Sequence, residues 1–508
     1  MAGIDGDTIV RLPGGRAQGF LTDDGEVFRA RGVRYATAER FRESRLVDRW
    51  DDVWDCTKPA VLSPQLPSRL AVVVGDIQGT RPQSEDCLHV SIAAPASAVG
   101  SAGKSTGGAL PVMVFFHGGA YVSGGGDLDC YDGTPLARRG VVVVNVTYRL
   151  GVLGYYPVGD DGVASPNLGL SDQITALKWV QTNIACFGGD AGNVTLFGQS
   201  AGGDSIFSML LLDETQDLFH RAILQSAPFG ERTKPFAERQ KMEKRMGEAM
   251  IESLAGQSIK DIPFEEVLKT PQVKAAIAAK EFPTGVMPFA PSFYRRPYEG
   301  TITQAMSSLD DVSRIRKPVL ISYTRDDGAI FARMDGWLGP LLKIPLLGRV
   351  ALSFKEWLYT GQIFGWGSEK MYSKISDAGG NAALVYFSHR FQYGLGAAHC
   401  ICLPYLLGSW SAWERAPMLQ GPNAKDIVAR VGPEVRKLWV AFASGSNLQG
   451  KRFEINDSFR FETPKGDIGL AMFRICILIL GCLQIELRAE VMFVADIKVV
   501  GRLQTLES

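Results

Sequence analysis

The chain has 508 residues, of which 46% are hydrophobic and 21% charged, an ordinary balance for a globular protein. Basic and acidic residues are equal at 54 each, so no net positive charge favours nucleic acid as a partner. No apolar run reaches the roughly 20 residues of a transmembrane helix, and the first residues lack the pattern of a secretion signal. We therefore expect a cytoplasmic chain without a transmembrane segment, and the sequence leaves its oligomeric state open.

The cysteines do not form a pattern that predicts disulfides or a metal. Eight of them are spread thinly over the chain, unlike a dense disulfide framework. The closest pair, Cys400 and Cys402, lacks the second ligand pair of a zinc site. We expect buried thiols, no metal and no cofactor.

Taken in chain order, the predicted elements alternate between strands and helices. Short alternating runs at Thr8–Leu12 and Val27–Val33 predict a small antiparallel sheet near the N-terminus. Apolar and β-branched runs predict strands at Cys87–Ala93, Pro111–Phe116, Val141–Thr147, Val194–Phe197, Arg221–Gln225, Pro318–Tyr323 and Ala382–His389. Helices are predicted from the cap Ser171 to about Ala185, at Asp204–Leu212 and at Pro433–Phe442. The alternation predicts an α/β fold with a mostly parallel twisted sheet flanked by helices.

Two stretches interrupt this alternation. Residues 230–315 are largely helical in pattern, and residues 335–370 are apolar and punctuated by glycine. We predict helical cap insertions over the site; for the second stretch, helices packed on the core and a wall for an apolar acyl group both remain open. One domain is predicted over residues 1–460. The segment 461–508 has no assigned nature, and its apolar part, Met472–Val500, favours a packed terminal element over a membrane anchor.

The sequence Gly198-Gln-Ser200-Ala-Gly202 stands between a predicted strand and a predicted helix. That context is the one a nucleophile elbow needs, because the tight turn leaves no room for a Cβ beside the serine. The N–H of Ala201 would then face a developing oxyanion. The same pattern recurs at Gly103–Gly107, but no helix follows it, and residues 97–109 are predicted to be a solvated linker.

A serine nucleophile needs a base and an acid, which follow it in the order acid, then histidine, on this type of fold. Among five histidines, this order leaves His389 and His399. His389 lies within a predicted strand, whereas His399 follows a glycine-rich loop and is the predicted base. The acid is predicted directly after the strand Pro318–Tyr323, where the residues alone leave Asp326 and Asp327 open.

An earlier loop supplies candidate oxyanion donors. His117, Gly118 and Gly119 follow the strand Pro111–Phe116 and match the loop described for lipases and esterases. Glycine lets backbone N–H groups approach the substrate, and each donor is worth about 3 kcal/mol in the transition state. His117 is expected to be structural.

Together these motifs resemble the type-B carboxylesterase and cholinesterase family over about residues 8–450. Phe187–Gly202 fits the family's serine signature, and Ser84–Val90 fits a second signature except for His89, where an aromatic residue or threonine is usual. The resemblance implies an α/β-hydrolase fold, a triad of Ser200, Asp327 and His399, and oxyanion donors at Gly118, Gly119 and Ala201. It also implies two buried ion pairs, Arg149 with Asp172 and Arg40 with Glu85.

The chain departs from that family at several positions. Asp327 stands where glutamate is usual, and Gln199 replaces the glutamate that cholinesterases place before the serine. Ser63 stands where a cysteine would pair with Cys87, so that disulfide is lost. No tryptophan lies between Trp54 and Trp179, which leaves an aromatic cage for a quaternary ammonium unsupported.

The predicted function is a serine carboxylic-ester hydrolase that forms an acyl-enzyme with uncharged, apolar, small-molecule esters. The alternatives are a lipase or detoxifying hydrolase of bulky natural esters and a non-catalytic cholinesterase-like binding protein. The natural substrate and its acyl-chain length stay open.

Overall fold

The structure is a computed structural model that describes residues 8–99, 108–157, 166–282, 287–295, 298–335, 345–391, 395–456, 458 and 461–462. One compact unit ends at Thr463. The second unit, Pro464–Ser508, lies outside the described residues, and so do Met472–Val500 and the second serine motif, Gly103–Gly107.

The described strands and helices alternate along most of the chain. The strands are β1 (Ile9–Leu12), β2 (Gly15–Gln18), β3 (Phe20–Leu21), β4 (Val27–Arg34), β5 (Ala36–Thr37), β6 (Arg45–Leu46), β7 (Val53–Asp55), β8 (His89–Pro95), β9 (Leu110–Phe116), β10 (Val142–Val146), β11 (Gly189–Gln199), β12 (Arg221–Gln225), β13 (Val319–Thr324), β14 (Ala382–Phe387), β15 (Arg452–Ile455) and β16 (Phe461–Glu462). The α-helices are α1 (Ala71–Val74), α2 (Thr134–Ala137), α3 (Gly151–Gly154), α4 (Leu168–Asn183), α5 (Ala201–Leu211), α6 (Phe229–Arg232), α7 (Phe236–Ser253), α8 (Phe264–Val267), α9 (Val273–Ala279), α10 (Gln304–Ser307), α11 (Ala329–Met334), α12 (Pro345–Tyr359), α13 (Trp366–Asp377), α14 (Leu403–Leu406), α15 (Trp410–Trp413) and α16 (Ala424–Ala443). Thr360–Gly365 forms a π-helical turn that joins α12 to α13.

Eleven strands form one large sheet in the order β16-β15-β14-β13-β12-β11-β9-β10-β8-β4-β3. Neighbours from β10 to β15 pair in parallel, and the outer strands pair antiparallel. The predicted α/β class is confirmed. Because the central strands are parallel, their carboxyl ends all lie at one edge of the sheet.

The central strands are buried on both faces. Val114 of β9 packs in the same core cluster as residues of α4 and α5, whereas its neighbour Phe115 packs in the cluster that contains α14 and α16. Apolar residues are therefore needed at every position, which explains why these strands are continuous apolar runs rather than alternating ones.

The predicted N-terminal sheet is wrong in two respects. The strand β4 belongs to the large sheet, where it pairs with β8, and the small three-stranded sheet is formed by β1, β2 and β7. In addition, β7 pairs with β2 in parallel. An alternating pattern indicates that one face is buried, but it does not identify the partner strand.

Two helices begin earlier than predicted. The helix α4 begins at Leu168 rather than after Ser171, because Asn167 turns the chain with a φ of 62° and its side chain is held by the backbone of Ser292 at 2.7 and 3.0 Å. The helix α16 begins at Ala424 and contains Pro433, where the sequence predicts its start. Burial of one face of α16 against the sheet offsets the hydrogen bond that proline cannot donate.

Within the described ranges, no helix has both the length and the apolar character that crossing a membrane requires. The stretch 230–315 contains α7 to α10, and the stretch 335–370 contains α12 and the π-helical turn.

Candidate active site

The predicted site residues follow the carboxyl ends of parallel strands. Gly118 follows β9, Ser200 follows β11 and Asp327 follows β13. His399 lies on the segment that leaves β14. The fold thus brings residues that are far apart in the sequence to one edge of the sheet.

Ser200 lies on a strained turn between β11 and α5, with a φ of 57° and a ψ of −123°. A Cβ built on Gly202 would lie 1.9 Å from the carbonyl oxygen of Phe116, and one on Gly198 would lie 2.7 Å from the carbonyl carbon of Gly202. Both glycines are therefore required by close backbone contacts. Ser200 is 5% exposed, and none of the described residues forms a hydrogen bond with its Oγ.

His399 donates its Nδ1–H to Asp327 Oδ1 over 2.5 Å, and both side chains are fully buried. The N–H of Thr324 donates to the second oxygen of Asp327 over 2.9 Å and orients the carboxylate. The aspartate reaches the imidazole although it is one carbon shorter than glutamate. With Nδ1 protonated, Nε2 carries the lone pair that a general base needs.

In the resting structure, this lone pair of His399 Nε2 accepts a hydrogen bond from Gln199. Its side-chain amide donates to His399 Nε2 over 3.1 Å, which places the imidazole directly beside the elbow. A Cβ built on Gly118 would lie 2.9 Å from Gln199 Oε1 and 3.1 Å from Ser200 Cβ. The oxyanion loop therefore lies close to Gln199 and Ser200, and Gln199 in turn contacts His399. The sequence identified Gln199 only as a departure from the family, and it carried no signal of this contact.

Asp326 contacts the histidine loop rather than His399 itself. It forms an ion pair with Arg390 at 2.9 Å and accepts the N–H of Ala397 over 2.9 Å. A Cβ built on Gly396 would lie 2.3 Å from Asp326 Oδ2. The geometry therefore separates the two aspartates: Asp327 contacts the imidazole, and Asp326 holds the loop that carries it.

Three backbone N–H groups around Ser200 are available as donors. Those of Gly118, Gly119 and Ala201 donate no hydrogen bond to any of the described residues. Two belong to a loop and the third to the first turn of α5, where no intrahelical acceptor exists. They are free to bind an oxyanion that forms beside Ser200.

His117 is a structural part of the oxyanion loop. Its Nδ1–H donates to the carbonyl of Gly118 over 2.8 Å, and its ring stacks on Tyr148 with the centroids 4.4 Å apart. Burial lowers the pKa of His117 to about 4, so the ring is neutral at pH 7. It does not contact Ser200 as a base.

A buried network joins the oxyanion loop to the nucleophile helix. Asp204 of α5 accepts the hydroxyl of Tyr121 over 2.6 Å and forms an ion pair with Arg232 at 2.5 Å. Arg232 in turn donates to the carbonyl of Pro291 over 2.8 Å. The sequence did not indicate this network.

The walls around the site combine aromatic and aliphatic side chains with uncharged polar ones. The rings of Phe331 and Phe364 lie 5.4 and 4.8 Å from the ring of His399. A narrow cavity beside Gly118 and Gln199 is lined by residues that include Leu70, Val74 and Ile77 and bears no charged side chain.

Features that the resemblance implied away from the site are also present. Arg149 forms a buried ion pair with Asp172 at 2.7 Å, and Arg40 forms an ion pair with Glu85. Cys87 is a free thiol, and burial raises its pKa to about 12. The buried pair of Arg149 and Asp172 is confirmed, whereas Arg40 and Glu85 pair as predicted but are partly exposed rather than buried.

This sheet and elbow define an α/β-hydrolase. A solved structure described as a thermophylic pNB esterase superimposes with a TM-score of 0.74 at 27% identity, covering 92% of this chain and 99% of that one. A juvenile hormone esterase from Manduca sexta, at 22% identity and a TM-score of 0.70, shares the fold.

The chain belongs to the carboxylesterase family, whose sequence model matches residues 6–337. It is 33% identical over 446 residues to a probable N-octanoylanthranilate hydrolase of Rhodococcus erythropolis, covering 85% of this chain and 92% of the relative. It is 31% identical over 475 residues to the para-nitrobenzyl esterase of Bacillus subtilis (strain 168), covering 86% and 90%. The enzyme is accordingly a serine carboxylic-ester hydrolase, and its substrates are small-molecule esters.

Proposed function

We propose that Ser200 attacks the ester carbonyl and forms an acyl-enzyme that water then hydrolyses. His399 takes the proton of the Ser200 hydroxyl and later delivers it to the leaving alcohol, while Asp327 stabilises the imidazolium. The N–H groups of Gly118, Gly119 and Ala201 bind the oxyanion. The observation that carries the proposal is the 2.5 Å contact between Asp327 and His399 next to an elbow with three free donors.

One rearrangement is needed before the first step. Because the Gln199 amide occupies His399 Nε2 in the resting structure, this hydrogen bond must lengthen as the Ser200 hydroxyl turns toward the imidazole. Catalytic hydrogen bonds commonly become shorter only in the substrate complex. The pair of Asp327 and His399 is already in place and requires no movement.

We infer a preference for uncharged, apolar esters. The aromatic rings beside His399 and the uncharged lining of the cavity at Gly118 support it, because a charged substrate would lose its hydration without gaining a partner. One relative, the para-nitrobenzyl esterase of Bacillus subtilis, is named for an uncharged aromatic ester and agrees with this preference.

The mechanism is tested by covalent labelling. A fluorophosphonate should label the wild-type chain on Ser200, and Ser200→Ala should lose both the label and the turnover of p-nitrophenyl butyrate. His399→Ala should fold and retain less than about a thousandth of the activity. Full labelling and turnover in Ser200→Ala would contradict the proposal.

A hydrolase of bulky natural esters is the second candidate, because Phe364 places part of the 335–370 stretch against the base. A series of p-nitrophenyl esters from acetate to palmitate, with and without a lipid interface, separates the two. A rate that peaks at short acyl chains supports the small-ester assignment. A rate that rises with chain length only at the interface supports the lipase assignment.

A further inference from the structure

A second cleft, of about 590 Å³, lies between α2, the segment that follows α14, and α16. It shares no lining residue with the cavity beside Gly118. Four cationic side chains line it, Arg138, Arg139, Lys425 and Arg436, together with tryptophan, proline and aliphatic residues, and no acidic residue does. We call it the basic cleft.

Most of these cations have no ion-pair partner among the residues that the structure describes. Arg138 forms an ion pair with Asp24, but Arg139, Lys425 and Arg436 form none with any residue that the structure describes. Asp132, close to α2 in the sequence, is paired with Arg29 at 3.1 Å. Three cations therefore border one cleft without an ion-pair partner in the described part of the chain.

Arg436 lies deepest in this arrangement. Its Nη1 donates to the carbonyl of Tyr405 over 2.7 Å, and its Nε is buried without a hydrogen-bond partner among the described residues. The guanidinium packs against Gly432, since a Cβ built on that glycine would lie 2.9 Å from Nη1. Tyr405 thus holds a half-buried cation in place through one of its five N–H donors, and the buried N–H on Nε is unsatisfied, which destabilises the site.

The electrostatics of Arg436 agree with this geometry. Burial lowers its pKa to about 10, and the neighbouring Arg139 adds to that effect. The charged form is therefore destabilised by the surroundings, and a bound anion would remove part of that destabilisation.

We propose that the basic cleft binds an organic anion, with a carboxylate or phosphate head at Arg139, Lys425 and Arg436 and an apolar body against Trp410. Guanidinium groups bind such heads through charge-assisted hydrogen bonds. The apolar part of the lining favours an organic body over a bare inorganic ion, and the cleft volume lies in the range of small-molecule sites. This inference does not depend on the proposed ester hydrolysis.

The test needs a signal that arises in the cleft itself. The full chain is labelled with 5-fluorotryptophan, and the fluorine resonance of Trp410 is assigned by its absence in Trp410→Phe. The labelled protein is titrated with 4-nitrobenzoate, phenyl phosphate, inorganic phosphate and the neutral 4-nitrobenzyl alcohol. The reporter distinguishes binding in the basic cleft from binding at Ser200.

We expect saturable shifts with the two organic anions, weaker binding of inorganic phosphate, and no shift with the neutral alcohol. The double variant Arg139→Gln/Lys425→Gln should bind at least about tenfold more weakly, which corresponds to 1.4 kcal/mol. The control Lys437→Gln/Lys451→Gln removes the same charge from exposed positions outside the lining and should bind like wild type. Added salt should weaken binding.

Three results would overturn the proposal. The first is no saturable shift of the Trp410 signal at concentrations up to ~10 mM. The second is an equal loss of affinity in the control pair of lysine variants. The third is equal affinity for the anions and the neutral alcohol. Thermal unfolding of each variant establishes that a loss of binding is not a loss of fold.

Discussion

Two adjacent aspartates at the end of β13 (Val319–Thr324) have different tasks because their side chains leave the turn in different directions. Asp327 points to His399, and Asp326 points to Arg390 and the N–H of Ala397. One carboxylate contacts the candidate base, and the other positions the loop on which that base lies.

The two aspartates can be separated by matched substitutions. Asp327→Asn should lower kcat/KM for p-nitrophenyl butyrate by up to ~10⁴, because an amide no longer stabilises the imidazolium. Asp326→Asn retains the contact between Asp327 and His399, and should lower kcat/KM by no more than about tenfold while lowering the melting temperature. Equal losses of activity in the two variants would contradict this division of roles.

Gln199 places a neutral amide beside His399. A carboxylate at the same position would favour the protonated imidazole. Gln199→Glu would introduce a negative charge about 3 Å from His399 Nε2 and favour the protonated ring. We expect the acidic limb of the pH profile of kcat/KM to move to higher pH by about one unit. The measurement is a pH–rate series on a p-nitrophenyl ester.

The control for this change is Gln199→Met, which has a similar length and no charge. It should alter the rate without moving the limb. If the glutamate and methionine variants shift the limb equally, the effect does not come from charge and the interpretation is wrong.

At the scale of elements, the turns that present Ser200 and Asp327 depend on contacts between backbones. A Cβ built on Gly328 would lie 2.2 Å from the backbone nitrogen of Thr360. The N–H of Gly328 donates to Thr360 Oγ1 over 2.9 Å. The π-helical turn Thr360–Gly365 thus fixes the turn of the acid and also supplies Phe364 beside His399. Phe364 places part of the apolar stretch beside the imidazole, and the role of that stretch as a wall for an acyl group stays a prediction.

Gly328→Ala tests this contact. The added methyl must displace the backbone of residue 360, so we expect a loss of about 1–3 kcal/mol in the free energy of unfolding and a lower kcat. Gly192→Ala is the matched control, because its Cβ would meet only the end of the Asp190 side chain, at 3.1 Å. Chemical denaturation and ester hydrolysis measure the two effects. Similar losses in both variants would contradict the assignment.

At the scale of the whole molecule, two histidines with a lowered pKa, His89 and His117, make the stability of the fold depend on pH. Burial lowers the pKa of both His89 and His117 to about 4, from an ordinary value near 6.5. Between these two pH values the unfolded chain binds more protons than the folded one. Stability is therefore complete above about pH 6.5 and falls as the pH drops toward 4.

His89→Phe should reduce this acid sensitivity, since it removes one of the two groups at a position far from Ser200 in the sequence. The difference between wild type and variant should grow by up to ~3 kcal/mol between pH 7 and pH 4.5. Denaturant titrations at several pH values measure it, and the comparison at pH 7 corrects for the change in packing. Parallel pH dependences of the two proteins would show that His89 does not contribute.

The sequence by itself determined the class of fold and was enough to predict Ser200 as the nucleophile and His399 as the base. Gly198, Ser200 and Gly202 are neighbours in the chain, so the steric demand of the elbow is expressed within five letters. The central strands could be located because burial on both faces requires continuous apolar runs. His399 followed from its place in the chain order, and Asp327 was favoured over Asp326 only by resemblance.

Only the tertiary structure decided which distant groups touch. The sheet to which β4 (Val27–Arg34) belongs, the amide of Gln199 on the imidazole and the anchoring role of Asp326 all depend on packing between residues far apart in the chain. The basic cleft likewise joins residues numbered from 135 to 436, none of which forms a motif with its neighbours. Periodicity and local steric demands can be recognised in a sequence because they involve residues close together in the chain. Contacts between distant residues depend on how the core packs, which fixes the distances between them.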